Sequence, residues 1–344
     1  MKNNFSLKYF LILFLNITTN GSFSQANITV SGSYSQNFNT LLTSGSATWT
    51  DNSTIPNWYS QRAGTGTTIV ASDGSSSTGN LYSFGNGTST DRALGAVSSA
   101  TPSNMAHGVL FRNTSGTTLN ALQVSYTLEQ WRSSGAAAQS ITFCYQKNAV
   151  AISNLDPNII AGAWTQVGAL SLASPITGGS ALTLDGNAVA NRVVTTFNIT
   201  GLALANNEYI MLKWDDPDHS GFDHGLAIDD VTISWTISCV ATHGIHDVQG
   251  SGNTSPLTSS TVGIRGIVTG VKSNGFFMQE PDATADANPN TSEGIFVFTS
   301  STPPAAVVIG NDVCVIGTVS EFTPASDPNS PSITEITEIG RAHV

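Results

Sequence analysis

Between Ala26 and about Ser238, runs of alternating apolar and polar residues recur between turn signals: "NITVSGSYSQNF", "GVLFRNTS", "LQVSYTLEQWR", "SITFCYQK", "RVVTTFNITGL" and "EYIMLKWDD". Alternation with period two sends successive side chains to opposite faces of a strand. Turn signals roughly ten residues apart predict an all-β sandwich. No fixed sequence period supports a solenoid. The region closes on "GLAIDDVTISW", Gly225 to Trp235, where strict alternation places Asp229, Val231, Ile233 and Trp235 on one face.

A second set of runs follows a linker around Cys239 to His243: "TVGIRGIVTGVKS", "GFFMQEP", "EGIFVFT", "DVCVIGTVSEF" and "SITEIT". Five short strands with a long first one predict a small OB-like barrel. Gly263, Gly266 and Gly270 suit a first strand that curls to serve both halves of it. Ahead of both sets the pattern changes. Lys2 and Lys8 lead into "YFLILFL", Tyr9 to Leu15, with small residues at Ser22 and Ser24. That is the layout of a signal peptide over residues 1–24, and the apolar run is too short to span a bilayer. The expected organisation is a signal peptide, a jelly-roll-like β-sandwich over 25–240 and an OB-like domain over 241–337. The chain is expected to be exported, with no membrane span.

Composition agrees with strands. Charged residues are 10% of the 344, while Gly, Ser, Thr and Asn abound; long helical periodicity is absent. The formal charge of −11 gives no sign of a phosphate-binding surface. From His243 to Thr337 nine acids (Asp247, Glu280, Asp282, Asp286, Glu293, Asp312, Glu321, Asp327, Glu335) face only Arg265 and Lys272. A DNA-gripping barrel offers a basic groove with stacking aromatics. Phe276, Phe277, Phe296 and Phe298 supply rings, but in alternation with core positions. Cys144, Cys239 and Cys314 are too scattered for a disulfide framework or a zinc site. One disulfide of undetermined pairing and buried strand thiols are both open, the thiols being the plainer reading.

Two resemblances add to this. "GLAIDDVTIS", with "SYSQNFNTL" as a first strand, resembles jelly-roll modules of secreted bacterial proteins, carbohydrate-binding modules and lectin-like domains among them. In order, "IHDVQGSG", "GIVTGV", "NGFFMQEPD", "SEGIFVFT" and "VCVIGTVSEF" resemble the OB-like domain of large secreted bacterial nucleases of the endonuclease/exonuclease/phosphatase type. The final "EIGRAHV", Glu338 to Val344, resembles a translated sequencing adapter. Together these imply a non-catalytic N-terminal fragment of a secreted nuclease. Its partner would be a missing C-terminal catalytic domain, which would use Mg²⁺ or a similar ion and through which nucleic acid would be met. The alternative is a secreted carbohydrate- or cell-surface-binding protein whose sandwich does the binding.

No catalytic residue is assigned within these bounds. Gln279-Glu280 imitates a metal-holding pair of the nuclease superfamily, yet the further carboxylates, Asn and His of phosphodiester hydrolysis are missing, and Pro281 breaks the strand. The insert "DATADANPNTSE" lacks EF-hand spacing and reads as a solvated hairpin loop. His219, His224, His243 and His246 lack a closed ligand set for zinc. Trp58, Tyr59, Trp131 and Trp164 offer a sugar platform or, as is usual inside sandwiches, core. "KWDDPDHSGFDHGLAIDD" is the densest acidic stretch. An inward carboxylate at a strand start is costly unless liganded. Asp216, Asp223, Asp229 and Asp230 are therefore the candidate ligands of a structural Ca²⁺, a site that the jelly-roll resemblance also implies; turn-forming Asp side chains are the other reading.

Overall fold

Two sheets pack face to face, and a closed barrel follows them. The computed structural model describes residues 26–29, 32–99, 101–236, 240–305 and 307–343, with side chains described through Thr337 in the last strand. The signal-peptide expectation and Cys239 lie outside the described residues. Among the described residues the first sheet has seven strands, with the spine Ala26–Ile28, Met105–Asn113, Tyr209–Asp216, Ser140–Asn148 and Thr165–Gln166. The second has nine, centred on Leu119–Ser133, Gly225–Trp235, Ala93–Val97 and Asn80–Phe84. Neighbouring strands come from distant parts of the chain, as in the expected jelly-roll-like β-sandwich.

The inner faces form an aromatic core. Trp58 stacks on Trp214 with centroids 5.6 Å apart, while Tyr126 and Phe143 meet Trp214 edge-on. Trp58, Trp131 and Trp214 are fully buried, and Tyr59 and Trp164 nearly so. None of the four candidate platform residues presents a ring to solvent, and the core reading holds for all of them.

Strict alternation fails in one informative place. Along Gly225–Trp235, Leu226, Ile228, Val231, Ile233 and Trp235 all enter the core. Two consecutive inward steps are separated by two residues instead of one because the ladder shifts register between Asp229 and Thr232. Asp230 absorbs the extra residue at φ 49°, a left-handed conformation that Asp tolerates better than most side chains. Asp229 thereby falls on the outer face with Ala227, not with Val231 and Ile233 as the alternation predicted.

The barrel closes in the order Thr261–Lys272, Gly275–Gln279, Gly294–Phe298, Ile333–His343, Asp312–Phe322 and back to the first strand. Only the contact between Gly294–Phe298 and Ile333–His343 is parallel. This is the closed five-strand, OB-like barrel that the sequence predicts. Its core is aliphatic, built from Val262, Ile264, Val268, Val313, Val315 and Ile336 around the single ring of Phe276. A Cβ at Gly263 would strike the Val240 carbonyl, and one at Gly266 the Gln279 carbonyl, so close backbone approach requires both glycines. The insert is a hairpin loop between Gly275–Gln279 and Gly294–Phe298. Strand pairing runs to Thr337, shifts register at the start of the adapter-like stretch, and resumes from Arg341 to His343. Cys314 is disulfide-bonded, against the plainer reading of buried thiols, whereas Cys144 is free and buried.

Candidate functional site

Among the polar clefts of the sandwich, two adjoin each other, and a smaller one of about 350 Å³ lies at Ser35, Gln36, Asn37 and Asp230. The first of the adjoining two, about 460 Å³, is lined by Trp49, Asp51, Ser60, Gln61, Arg62 and Thr67. Trp58–Arg62 pairs with Met105–Asn113 and so holds Ser60, Gln61 and Arg62 in a fixed row. Asp51 is anchored to that row: its Oδ1 accepts from the Trp49 indole at 2.7 Å and the Ser60 amide at 2.8 Å, its Oδ2 from the Gln61 amide at 2.7 Å. Gln61 also ties in the following loop, donating to the Ser153 carbonyl and accepting from the Leu155 amide.

The second cleft, about 450 Å³, is rimmed by Ser72, Asp73, Ser76, Thr78, Asn80 and Tyr82 among others. Bonds from the Ser75 side chain and backbone hold the Asp73 carboxyl below its ordinary range, so it stays charged. The clefts are joined by one contact, Arg62 Nη1 donating to Asn80 Oδ1 at 3.4 Å. Both volumes lie within the range of small-ligand sites. Sequence reasoning missed them because each gathers residues from several turns and strands, with no local motif.

The four calcium candidates fall in two places, Asp216 with the loop residue Asp223 in one and Asp229 with Asp230 on the second sheet in the other. Asp216 ends its strand in the first sheet and lies close to Asp223; both are almost fully buried, and each keeps an Oδ2 without a partner. Burial pushes Asp216 well above the carboxylate range and Asp223 up to about 7. Asp229 lies in the second sheet beside Glu129, which the sequence did not suggest. Burial raises Glu129 to about 7 and Asp229 to about 9, and each carboxyl lifts the other or is lifted by neighbouring acids. Glu129 accepts from the Trp131 indole at 2.9 Å, while Asp229 Oδ1 has no partner. Asp230 is exposed at the bulge. Among the described residues no group of three or more His, Cys, Asp or Glu is arranged to hold a metal. A hard cation at either pair would draw its other ligands from carbonyls or water.

The barrel carries a different kind of pocket. Phe277, Phe296, Phe298 and Phe322 line about 280 Å³ of space, with Lys272 and Glu335 also on its walls. Phe276 points into the core; its neighbour Phe277 is 43% exposed.

The Gln279-Glu280 imitation has a structural explanation. Glu280 Oε2 lies 2.6 Å from His246 Nδ1, tying the short helix Ile245–Gln249 to the barrel. In the insert, Asp286 accepts bonds from Thr291 and from the Asn288 amide, which is turn chemistry. His219 Nδ1 lies 3.4 Å from Asp223 Oδ1. Under the outer face of the first sheet, buried Lys213 donates to the Ile159 carbonyl at 2.8 Å, lies 4.2 Å above the Trp164 ring and is 3.9 Å from Asp215. That group pins a loop.

Among comparisons with known proteins, no family model and no curated protein matches this chain. Solved structures give distant likenesses. A bacteriophage CBA120 tailspike protein 4 enzymatically active domain is 9% identical at TM-score 0.28, over 52% of this chain and 19% of that one. A structure described as CBM4 is 14% identical at TM-score 0.29, over 54% of this chain and 92% of that one. The CBM22-1 xylan-binding domain from Paenibacillus barcinonensis Xyn10C is 8% identical at TM-score 0.29, over 61% of this chain and 99% of that one. Likenesses this distant assign this chain neither a ligand nor a family.

Proposed function

We propose that the protein is an exported carbohydrate- or cell-surface-binding protein whose sandwich makes the contact. One observation carries the reading: two open polar clefts joined through Arg62 and Asn80. A polyol presents hydroxyls that both donate and accept. The clefts answer with carboxylates at Asp51 and Asp73, amides at Gln61 and Asn80, the Arg62 guanidinium and several hydroxyls. Asp51 and Gln61 are already held by their neighbours, so little side-chain order remains to be lost on binding. The test is affinity electrophoresis of the purified protein through a panel of neutral soluble polysaccharides. Retardation by at least one, weakened tenfold or more by Arg62→Ala and by Asn80→Ala, supports the proposal. Free migration through every gel, or retardation indifferent to both substitutions, overturns it.

A second reading keeps the chain as the non-catalytic N-terminal portion of a metal-dependent extracellular nuclease. Its support is that, of the runs resembling the nuclease accessory domain, the first falls on the helix Ile245–Gln249 and the other four, in order, on strands of one closed barrel. Intact genomic DNA should then encode a metal-hydrolase domain beyond Thr337, and residues 25–337 should leave supercoiled plasmid intact with Mg²⁺ or Mn²⁺. A stop codon there, or metal-dependent nicking by the purified residues, removes this reading.

A further inference from the structure

The barrel pocket has a composition unlike the sandwich clefts. Its walls are phenyl rings, and Phe277 and Phe296 lie 4.9 Å apart, tilted by 50° so that their faces open on the same space. Phe298 continues the row along the same strand, two residues beyond Phe296, and Phe322 stands 49% exposed at the rim. In this apolar setting Glu335 is 8% exposed, and its carboxyl makes no hydrogen bond or ion pair with any described residue. The carboxyl lies on the pocket wall, where it adds a negative charge beside the ring faces and favours a cation among the ligands that could enter.

One cation already samples the rings. Lys272 Nζ lies 5.7 Å from the Phe277 centroid and 5.8 Å from that of Phe296, within the range of cation–π attraction. Lys272 thus reaches the faces of the rings from its own turn without forming an ion pair with Glu335. The surrounding charge favours the same sign of ligand. Between His243 and Thr337 nine acids stand against Arg265 and Lys272, and Arg265 is engaged with Asp312 through Nε and Nη2. A polyanion is repelled by this field, and a neutral ligand gains nothing from the charge of Glu335.

We propose that this pocket binds an alkylated or quaternary ammonium group, with Phe277, Phe296 and Phe298 as the cage, Glu335 as the counter-charge and Lys272 as an internal competitor for the ring faces. Burial raises the Glu335 carboxyl above its ordinary range, and an ammonium alongside would restore its ionised form. The proposal is independent of the carbohydrate reading, because it concerns other residues in the other domain. The group can come from a trimethylammonium headgroup or from a lysine side chain, and the two are separable by probe.

The experiment is isothermal titration of the full chain with choline chloride, with N-acetyl-lysine methylamide, and with 3,3-dimethyl-1-butanol as the neutral isostere of choline. Saturable binding of one cationic probe, at least tenfold tighter than the isostere, is expected; the preferred cation identifies the source. Glu335→Gln and Phe296→Leu should each weaken it tenfold or more without moving the melting temperature of the wild type by more than a few degrees. Lys272→Ala should tighten it severalfold, an effect that a merely apolar pocket would not produce. Equal affinity for choline and the isostere, no binding of either cation at 20 mM, or weaker binding after Lys272→Ala overturns the proposal. If a pocket variant fails to fold, Lys272→Ala and the isostere comparison still decide it.

Discussion

The sandwich and the barrel use aromatic and charged residues in opposite ways. The sandwich buries all six tryptophans, several of its rings meeting at Trp214, while Phe197 and Phe222 stay exposed; it also buries Arg92, Glu129, Lys213, Asp215, Asp216, Asp223 and Asp229. The barrel fills its core with Val and Ile, admits only Phe276 among phenylalanines, and leaves Phe277 and Phe322 exposed. Rings used for packing cannot also stack on a ligand. If the sandwich binds sugar, its two joined clefts answer with polar groups, whereas the pocket of the barrel is walled by rings that a ligand can reach.

The sharpest way to break this contrast is to shorten one ring in each domain. Trp214→Ala removes the centre of the aromatic core and should cost about 3–5 kcal/mol. Phe277→Ala, on the barrel surface, should change stability by no more than about 0.5 kcal/mol. All six tryptophans lie between Trp49 and Trp235, so tryptophan fluorescence during urea unfolding reports the sandwich alone, and circular dichroism reports both domains. A large loss from Phe277→Ala would place that ring in a packed interface.

The buried acids predict the next largest effect. Burial holds Asp215 up to about 6, Glu129 and Asp223 up to about 7 and Asp229 up to about 9. Over that window the folded sandwich binds more protons than the unfolded chain, so its stability should fall as pH rises from about 5 to 9. The midpoint of tryptophan-monitored melting should decline across this range. A flat profile in metal-free buffer would mean that these carboxyls are answered by groups other than protons.

Calcium sharpens the same comparison. If a hard cation sits between Asp216 and Asp223, or at Asp229 and Glu129, millimolar Ca²⁺ should raise the sandwich midpoint by several degrees and flatten its pH profile. Asp223→Asn and Asp229→Asn, made separately, tell the two places apart, because only the variant at the binding pair should lose the shift. The barrel signal should stay put. No shift in the wild type, with the protein free of bound metal, ends the calcium proposal.

The strand runs and the order of the barrel were legible in the sequence because period-two alternation and turn chemistry are local. The face of Asp229 was not: a single inserted residue, Asp230 in a left-handed conformation, inverts every inference drawn across it. Glu335 was hidden for a similar reason. "SITEIT" alternates well, but whether its polar side faces solvent or a neighbouring patch depends on Phe322 and Phe296, which are distant in sequence. The clefts around Arg62 and Asn80 are likewise products of packing, and the disulfide at Cys314 has no local signature.

The smallest expected effect concerns the link between Glu280 and His246, the barrel's counterpart to the buried acids. The hydrogen bond that His246 Nδ1 donates to Glu280, followed by the pull of Glu280, Asp247 and Asp286, raises His246 above its ordinary value. A histidine raised in the folded state stabilises fully below its unfolded value near 6.5, and that contribution disappears as pH climbs through the folded one. The helix Ile245–Gln249 should therefore exchange its amide hydrogens faster, relative to the intrinsic rate, at pH 8.5 than at pH 6. The imidazole is partly exposed, so the effect should stay near or below about 1 kcal/mol. Glu280→Gln should return the NMR-measured titration of His246 to near 6.5 and erase the pH dependence of exchange in that helix, leaving the tryptophan signal of the sandwich unchanged. A His246 titration that ignores Glu280→Gln would mean the contact does not hold the helix to the barrel, and the glutamate would need another reason for its burial beside Pro281.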